Sequence, residues 1–139
     1  MKRIVMLLVG VVVAAVAYSQ TTPVARANGP VISWEKPFHD FGQIQPGDKV
    51  EYTYHFTNTG NEPLMITNVT VTCGCTTPKG WPHDPIEPGQ KGELIVAFDS
   101  TGKPSGKIDK VITVISNAVN PEGGQVKFTT RIAEKKDPQ

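Results

Sequence analysis

Apolar and polar residues alternate along most of the chain after Val31, and this period of two is typical of β-strands with one buried face. Further alternating segments occupy residues 94–98 and 126–132, whereas residues 111–115 are apolar on both faces, as expected for a central strand. No stretch of similar length has helical spacing. The clearest strand, over residues 50–56, carries apolar side chains at every second position, namely Val50, Tyr52, Tyr54 and Phe56. The pattern therefore predicts an all-β fold.

Turn sequences separate the predicted strands. Residues 44–49 and 86–91 share the form Ile-x-Pro-Gly-x-Lys, and each segment precedes an alternating stretch. Proline fixes φ and glycine accepts a positive φ, so both segments are predicted to form type II turns. The apolar parity changes near Thr67 and Asn68, which indicates a bulge or a bend between sheets. Short strands at this spacing predict an immunoglobulin-like antiparallel β-sandwich of about seven strands.

The N-terminal residues predict export. Lys2 and Arg3 precede an apolar segment over residues 4–17, and Ala17 and Ser19 place small residues at the positions that a signal peptidase recognises. The apolar segment is shorter than the about 20 residues that a membrane span needs. We therefore expect cleavage after Ser19, a periplasmic or extracellular protein, and no membrane span in the mature chain. Retention of the segment as an anchor is the alternative.

The chain is expected to divide into four parts. These are a signal peptide at 1–19, a linker at 20–30, one immunoglobulin-like domain at 31–133 and a polar tail at 134–139. A formal net charge of +1 supplies no field that would attract nucleic acid. The sequence does not determine the oligomeric state.

Both cysteines of the chain, Cys73 and Cys75, flank Gly74. In a straight strand their Cα atoms would lie roughly 6.5 to 7 Å apart, whereas a disulfide prefers about 5.5 to 6 Å. A disulfide therefore requires a bend, which we expect at Gly74 because glycine has the widest conformational freedom. A bridge over one residue should be strained and easy to reduce, and it should restrict the unfolded chain little.

Three interpretations of the cysteine loop remain open. The first is a local disulfide or thiol pair between Cys73 and Cys75 that shapes the loop. The second is a metal site, with Cu(I) favoured because thiolates are soft ligands and with His83 as a further ligand. A closed zinc site would need about four ligands, for which His39 and His55 are less favoured candidates. The third is thiol–disulfide exchange, although the usual Cys-x-x-Cys spacing is missing.

No catalytic constellation is evident in the sequence. Serine, histidine and aspartate are present, but they form neither a nucleophile elbow nor an ordered triad. We therefore expect that the protein is not an enzyme and holds no cofactor apart from a possible copper ion. Phe38 and Phe41 are interpreted as core contacts near the first strand.

Several short motifs occur together in a characteristic order. They are Phe38-His39-Asp40-Phe41-Gly42, Phe56-Thr57-Asn58-Thr59-Gly60, Pro63-Leu64, Thr72-Cys73-Gly74-Cys75-Thr76, Trp81-Pro82, Ile86-Glu87-Pro88-Gly89 and Phe98-Asp99-Ser100-Thr101-Gly102. With this ordered set the chain resembles the bacterial domain-of-unknown-function family 1573, and the resemblance extends from Trp34 to Ile132. It implies an exported immunoglobulin-type sandwich but no particular activity.

These observations predict an exported, non-catalytic module for protein interaction or cell-envelope association. The expected partner is an unidentified protein or envelope component, because a sandwich offers loops and sheet edges that other chains can join by strand addition. A copper-binding protein that uses the cysteine loop is the first alternative. A thiol–disulfide exchange protein is the second.

Overall fold

A computed structural model describes residues 28–136, which form eight strands and one short 3₁₀ turn at Pro121–Gly124. The predicted signal peptide, most of the predicted linker and the last three residues of the predicted tail lie outside the described residues. The strands are β1 (Ile32–Trp34), β2 (Phe38–Ile44), β3 (Lys49–Asn58), β4 (Ile66–Val71), β5 (Thr76–Gly80), β6 (Lys91–Asp99), β7 (Gly106–Ser116) and β8 (Gln125–Ile132).

The strands form two four-stranded sheets, as the sandwich prediction requires. The first sheet has the order β1-β3-β6-β5, and the second has the order β2-β8-β7-β4. Consecutive strands β1 and β2 belong to different sheets, so the start of the sandwich is divided between the two layers. The sandwich has eight strands, whereas the sequence predicted about seven. The pairing is also not wholly antiparallel, because β2 runs parallel to β8.

The predicted inner face of β3 is confirmed. Tyr54 and Phe56 are each 1% exposed and belong to one hydrophobic core that both sheets share. The Tyr54 hydroxyl donates a hydrogen bond of 2.8 Å to the backbone carbonyl of Lys127 in β8, and so joins the two layers. Burial, with a smaller contribution from Tyr52, raises the pKa of Tyr54 well above its ordinary value.

Both predicted type II turns are present. Gly47 and Gly89 have φ angles of 88° and 84°, a region that favours glycine. In each turn the residue after the glycine donates its N–H to the carbonyl of the residue before the proline, at 3.0 and 2.9 Å. Ile44 and Ile86, which open the two motifs, are both buried. The repeated motif thus forms the same corner twice.

Asn58, at the end of β3, connects three segments of the chain. Its side chain is fully buried, and its Oδ1 accepts hydrogen bonds from the N–H groups of Val31 and Gly60. Its Nδ2 donates to the carbonyls of Glu62 and Ile86, both at 2.8 Å. One buried amide therefore makes hydrogen bonds to four backbone groups, and all of its own polar atoms are satisfied.

The predicted irregularity near Thr67 is confirmed, because the register of β4 shifts between Ile66 and Asn68. The predicted core role of Phe38 is wrong, since its side chain is 54% exposed. Phe38 pairs with the exposed Lys127 and so lies on the outer face of the second sheet. Phe41 does pack against the core.

Candidate functional site at the cysteine loop and the β7 edge

Cys73 and Cys75 form a disulfide in the segment that leaves β4 and enters β5. Their Cα atoms lie 5.4 Å apart, closer than a straight strand allows, so the chain bends as the sequence argument required. Both residues are partly exposed. The disulfide therefore lies where the chain crosses from the second sheet to the first.

The loop is held by backbone hydrogen bonds on both sides of the disulfide. The N–H of Thr76 donates to the carbonyl of Cys73 at 3.3 Å and closes a turn. The N–H of Asp99 in β6 donates to the carbonyl of Cys75 at 2.9 Å. The Thr76 hydroxyl oxygen lies 4.0 Å from Cys73 Sγ and 3.9 Å from Cys75 Sγ. A hydroxyl thus stands beside both sulfur atoms.

Gly74 does not have the role that the sequence analysis gave it. Its φ angle is not positive, so the bend does not need the conformational freedom of glycine. A Cβ atom at this position would meet no other atom within 4 Å. The chain achieves the bend through an ordinary turn, and the space beside Gly74 is open.

The structure does not gather the proposed metal ligands. Among residues 28–136, no group of three His, Cys, Asp or Glu side chains is placed to hold a metal ion. Metal binding by Cys73, Cys75 and His83 stays a prediction for the reduced loop. Each histidine instead has its own neighbour. The rings of His83 and Trp81 have centroids 5.1 Å apart, and the stacked rings of His39 and Tyr52 have centroids 3.6 Å apart. His55 Nδ1 lies 3.5 Å from Glu93 Oε1.

A cavity of about 350 Å³ lies next to the loop on the outer face of the first sheet. Gly74, Cys75 and Ala97 are among its lining residues. Its charged rim consists of two exposed ion pairs, Lys79 with Glu51 at 3.1 Å and Lys49 with Asp99 at 3.9 Å. Since each cation is matched by an anion, the cavity has no preference for a ligand of either charge.

On the other side of the loop, half of strand β7 has only one neighbouring strand among residues 28–136. Strand β8 pairs with β7 from Gly106 to Thr113, whereas β4 pairs with β7 only from Ile112 to Ser116. Beyond Val71 the chain turns away into the cysteine loop instead of continuing along β7. Residues 106–111, which we call the open edge, therefore have a described strand on one side only.

Backbone groups in the open edge point toward the empty side. Lys127 and Ala133 donate their N–H groups to carbonyls at the two ends of β2, both at 2.8 Å, so the odd-numbered residues of β8 face β2. The backbone groups of the even-numbered residues of β8 face β7. In the antiparallel register these residues oppose even-numbered residues of β7 such as Ile108, whose own N–H and C=O groups point toward β8. Lys107 and Asp109 must then direct their N–H and C=O groups away from β8.

Side chains give the open edge a positive character. Lys107 and Asp109 are exposed on the outer face, with Lys107 Nζ 3.5 Å from Asp109 Oδ2. Lys110 opposes the buried Phe128, so it lies on the inner face, where it is partly buried. Ile108 packs against the core on that same face. The edge thus combines two lysines and one aspartate with the apolar residues Ile108 and Val111.

The outermost strands of both sheets carry features that hinder pairing with another chain. Asn120 occupies the edge of β1 with two hydrogen bonds to the backbone of Ile32. Pro78 removes an N–H from β5, and the registers of β2 and β4 are interrupted next to Gly42 and Asn68. The open edge of β7 has no comparable bulge or proline within residues 106–111.

Sequence reasoning identified the cysteine loop but missed the open edge. The apolar residues 111–115 predict a strand, but they do not show how far a neighbouring strand extends beside it. No local sequence pattern marks the open edge, because it exists only where the six residues of β4 lie beside the eleven of β7.

Residues 32–132 match the family described as Protein of unknown function (DUF1573). The chain belongs to this family. The resemblance noted from the ordered motifs is thereby confirmed, and the matched segment coincides with the eight strands, from the start of β1 to the end of β8. No curated protein matches the chain.

Solved structures similar to this DUF1573 protein support the fold alone, because their sequences are distant. A protein of unknown function from Porphyromonas gingivalis has a TM-score of 0.62 and 21% identity, over 78% of this chain and 50% of that chain. The ASH/PapD-like domain of human CEP192 has a TM-score of 0.56 and 10% identity, over 84% and 94%. The VesB protease of Vibrio cholerae has a TM-score of 0.52 and 20% identity, over 73% and 30%.

The DUF1573 chain therefore spans half the length of the Porphyromonas protein and less than a third of VesB. Within residues 28–136, no helix has the length and apolar character that a membrane crossing requires.

Proposed function

We propose that this DUF1573 protein is an exported, non-catalytic immunoglobulin-like module that binds an extended segment of another secreted or envelope protein. The observation that carries the proposal is the open edge of β7. Backbone N–H and C=O groups in a β-ladder are normally paired, and a second strand is the structure that pairs them in a regular series. The binding mode is strand addition along residues 106–111.

The open edge offers enough contacts for a specific but weak complex. Lys107 and Asp109 present two N–H and two C=O groups toward the empty side, as the β8 register requires. Each hydrogen bond formed there contributes about 0.5–1.5 kcal/mol net. An apolar side chain of the added strand opposite Ile108 would also be removed from water, on the face that packs against the core.

The charges at the open edge favour an acidic strand. Residues 106–111 carry two lysines, Lys107 and Lys110, against the single carboxylate of Asp109, so the edge has a net positive charge. Glutamate or aspartate on the added strand opposite a lysine forms a favourable cross-strand pair. Charge complementarity thus supports an acidic partner.

Support for the remaining parts of the proposal comes from the sequence and from the site. Lys2, Arg3 and the apolar residues 4–17 have the pattern of an export signal. A non-catalytic role agrees with the loop chemistry, because the two cysteines are joined to each other and each histidine packs against its own neighbour. A mass measurement on the secreted protein tests export, with cleavage after Ser19 as the expected result.

Binding is tested by titrating the isotope-labelled protein with a short acidic peptide of alternating valine and glutamate. We expect chemical-shift changes centred on residues 106–111 and slower amide hydrogen exchange at Lys107 and Asp109. Asp109→Pro is the matched variant, because it removes an N–H that points away from β8 and leaves the β7–β8 ladder intact. It should abolish binding without loss of the native spectrum.

Two outcomes would overturn the proposal. One is peptide binding that Asp109→Pro does not weaken, since the contact would then lie elsewhere. The other is the absence of any shift change for a strand-forming acidic peptide at millimolar concentration. Lys107→Glu combined with Lys110→Glu serves as the charge control, and it should weaken the acidic peptide while it strengthens a lysine-containing one.

A further inference from the structure

We infer that the added strand carries a thiol at its N-terminal end and that this thiol forms a mixed disulfide with Cys73. This inference rests on the proposed function, because the strand at the open edge delivers the thiol. It adds a covalent capture step to that function. The ligand is accordingly an extended, acidic, cysteine-containing polypeptide segment.

The position and direction of the added strand place its first residue beside the disulfide. Strand β4 ends at Val71, which pairs with Ile112, and Cys73 follows two residues later. A strand that continues along β7 in the direction of β4 begins where β4 leaves the sheet and runs toward Gly106. Its N-terminal end is therefore adjacent to the cysteine loop, and its C-terminal end is far from it.

The two cysteines differ in position relative to such a strand. Both are partly exposed, but Cys75 packs against the hydrophobic core and lines the cavity on the outer face of the first sheet. Cys73 is the cysteine closer along the chain to Val71, where β4 ends and the added strand begins. Thiolate attack on a disulfide needs access to one sulfur atom, and this position selects Cys73 Sγ as the sulfur attacked.

The exchange step is balanced without any additional oxidant. The partner thiolate forms a bond to Cys73 Sγ, the Cys73–Cys75 bond breaks, and its electron pair leaves on Cys75 Sγ. The Thr76 hydroxyl, 3.9 Å from that sulfur, can donate a hydrogen bond to the released thiolate. Attack by Cys75 on the mixed disulfide reverses the step, so the capture is reversible.

The test uses the purified secreted protein and four synthetic probes. The first is the acidic valine–glutamate peptide with an N-terminal cysteine. The second has the cysteine at the C-terminus, the third has serine in place of cysteine, and the fourth is glutathione. Mixed disulfides are trapped by acid quenching and located by peptide mapping.

We expect the N-terminal cysteine peptide to form an adduct on Cys73 roughly tenfold faster than the other thiols, because strand binding raises its effective concentration at the loop. Asp109→Pro should reduce this rate to that of glutathione. Equal rates for both cysteine positions, or an adduct mapped to Cys75, would overturn the inference.

The serine peptide separates this inference from the proposed function. If it binds at residues 106–111 but the cysteine peptide forms no adduct, the capture step is wrong and strand addition stands. If the serine peptide does not bind, both are wrong. A matched pair of single variants adds a further check, since Cys75→Ser should react with an activated disulfide of the peptide faster than Cys73→Ser does.

Discussion

The side-chain amide of Asn120 pairs with the backbone of Ile32 as a neighbouring strand would. The N–H of Ile32 donates to Asn120 Oδ1 at 3.0 Å, and Asn120 Nδ2 donates to the carbonyl of Ile32 at 2.8 Å. The two residues are 88 positions apart in the chain. One amide therefore closes the edge of β1 and fastens the segment after β7 to the first strand.

Replacement of Asn120 by alanine should lower the free energy of unfolding by about 1–3 kcal/mol, because both backbone groups of the buried Ile32 lose their partner. Urea titration followed by circular dichroism measures the change. Asn68→Ala is the control, since Asn68 is exposed and its side chain contacts the N–H of Val69 next to it. A loss for Asn120→Ala no larger than for Asn68→Ala would contradict this account.

Substitution by alanine should destabilise the protein at Gly92 but not at Gly74. A Cβ at Gly92 would lie 2.9 Å or less from three ring carbons of Phe56, a core residue that is 1% exposed. Gly92→Ala should therefore cost about 1–3 kcal/mol through overpacking. Gly74→Ala should be nearly neutral, because its Cβ would meet open space. Thermal unfolding of both variants gives the comparison, and equal melting temperatures would be inconsistent with the packing around Phe56.

Removal of the disulfide should change global stability little. The bridge between Cys73 and Cys75 encloses a single residue, and loop-closure entropy for so short a loop amounts to less than about 2 kcal/mol. The Cys73→Ser, Cys75→Ser double variant should accordingly remain folded, with a modest decrease in melting temperature. Unfolding of this variant at room temperature would show that the disulfide is a structural requirement.

His39 should make stability depend on pH. Burial against Tyr52 and Phe41 lowers the pKa of His39 below its ordinary value of 6.5, while Asp40 raises it and Lys36 lowers it by smaller amounts. The unfolded chain then takes up a proton at a higher pH than the folded protein does. The contribution of His39 to the free energy of unfolding therefore has its full value above about pH 6.5 and declines as the pH falls. It becomes constant below the pKa that His39 has in the folded protein.

The measurement compares urea unfolding of wild type and His39→Phe at about pH 7.5 and about pH 5, on either side of the ordinary histidine pKa. Phenylalanine keeps an aromatic ring against Tyr52 but does not titrate, so this variant should lose less stability on acidification. A wild-type loss that persists unchanged in His39→Phe would assign the pH dependence to other groups.

The sequence alone determined four of the strands (β3, β6, β7 and β8), the buried face of β3 and two of the corners. Tyr54 and Phe56 are buried because every second side chain of a strand points to the same face, a rule that depends on chain geometry and not on the neighbours of the strand. Gly47 and Gly89 adopt positive φ for an equally local reason. The location of the cysteine loop between two strands followed from the same pattern.

The tertiary structure decided how the strands meet. Alternation carries no information on whether a neighbour runs parallel, as β2 does beside β8, or on where it stops, as β4 does at Val71. The outward position of Phe38 was misjudged for this reason, because its partner Lys127 is brought beside it by pairing between distant segments. The open edge of β7 is likewise created by the relative lengths of three strands, a property that no single segment of the chain contains.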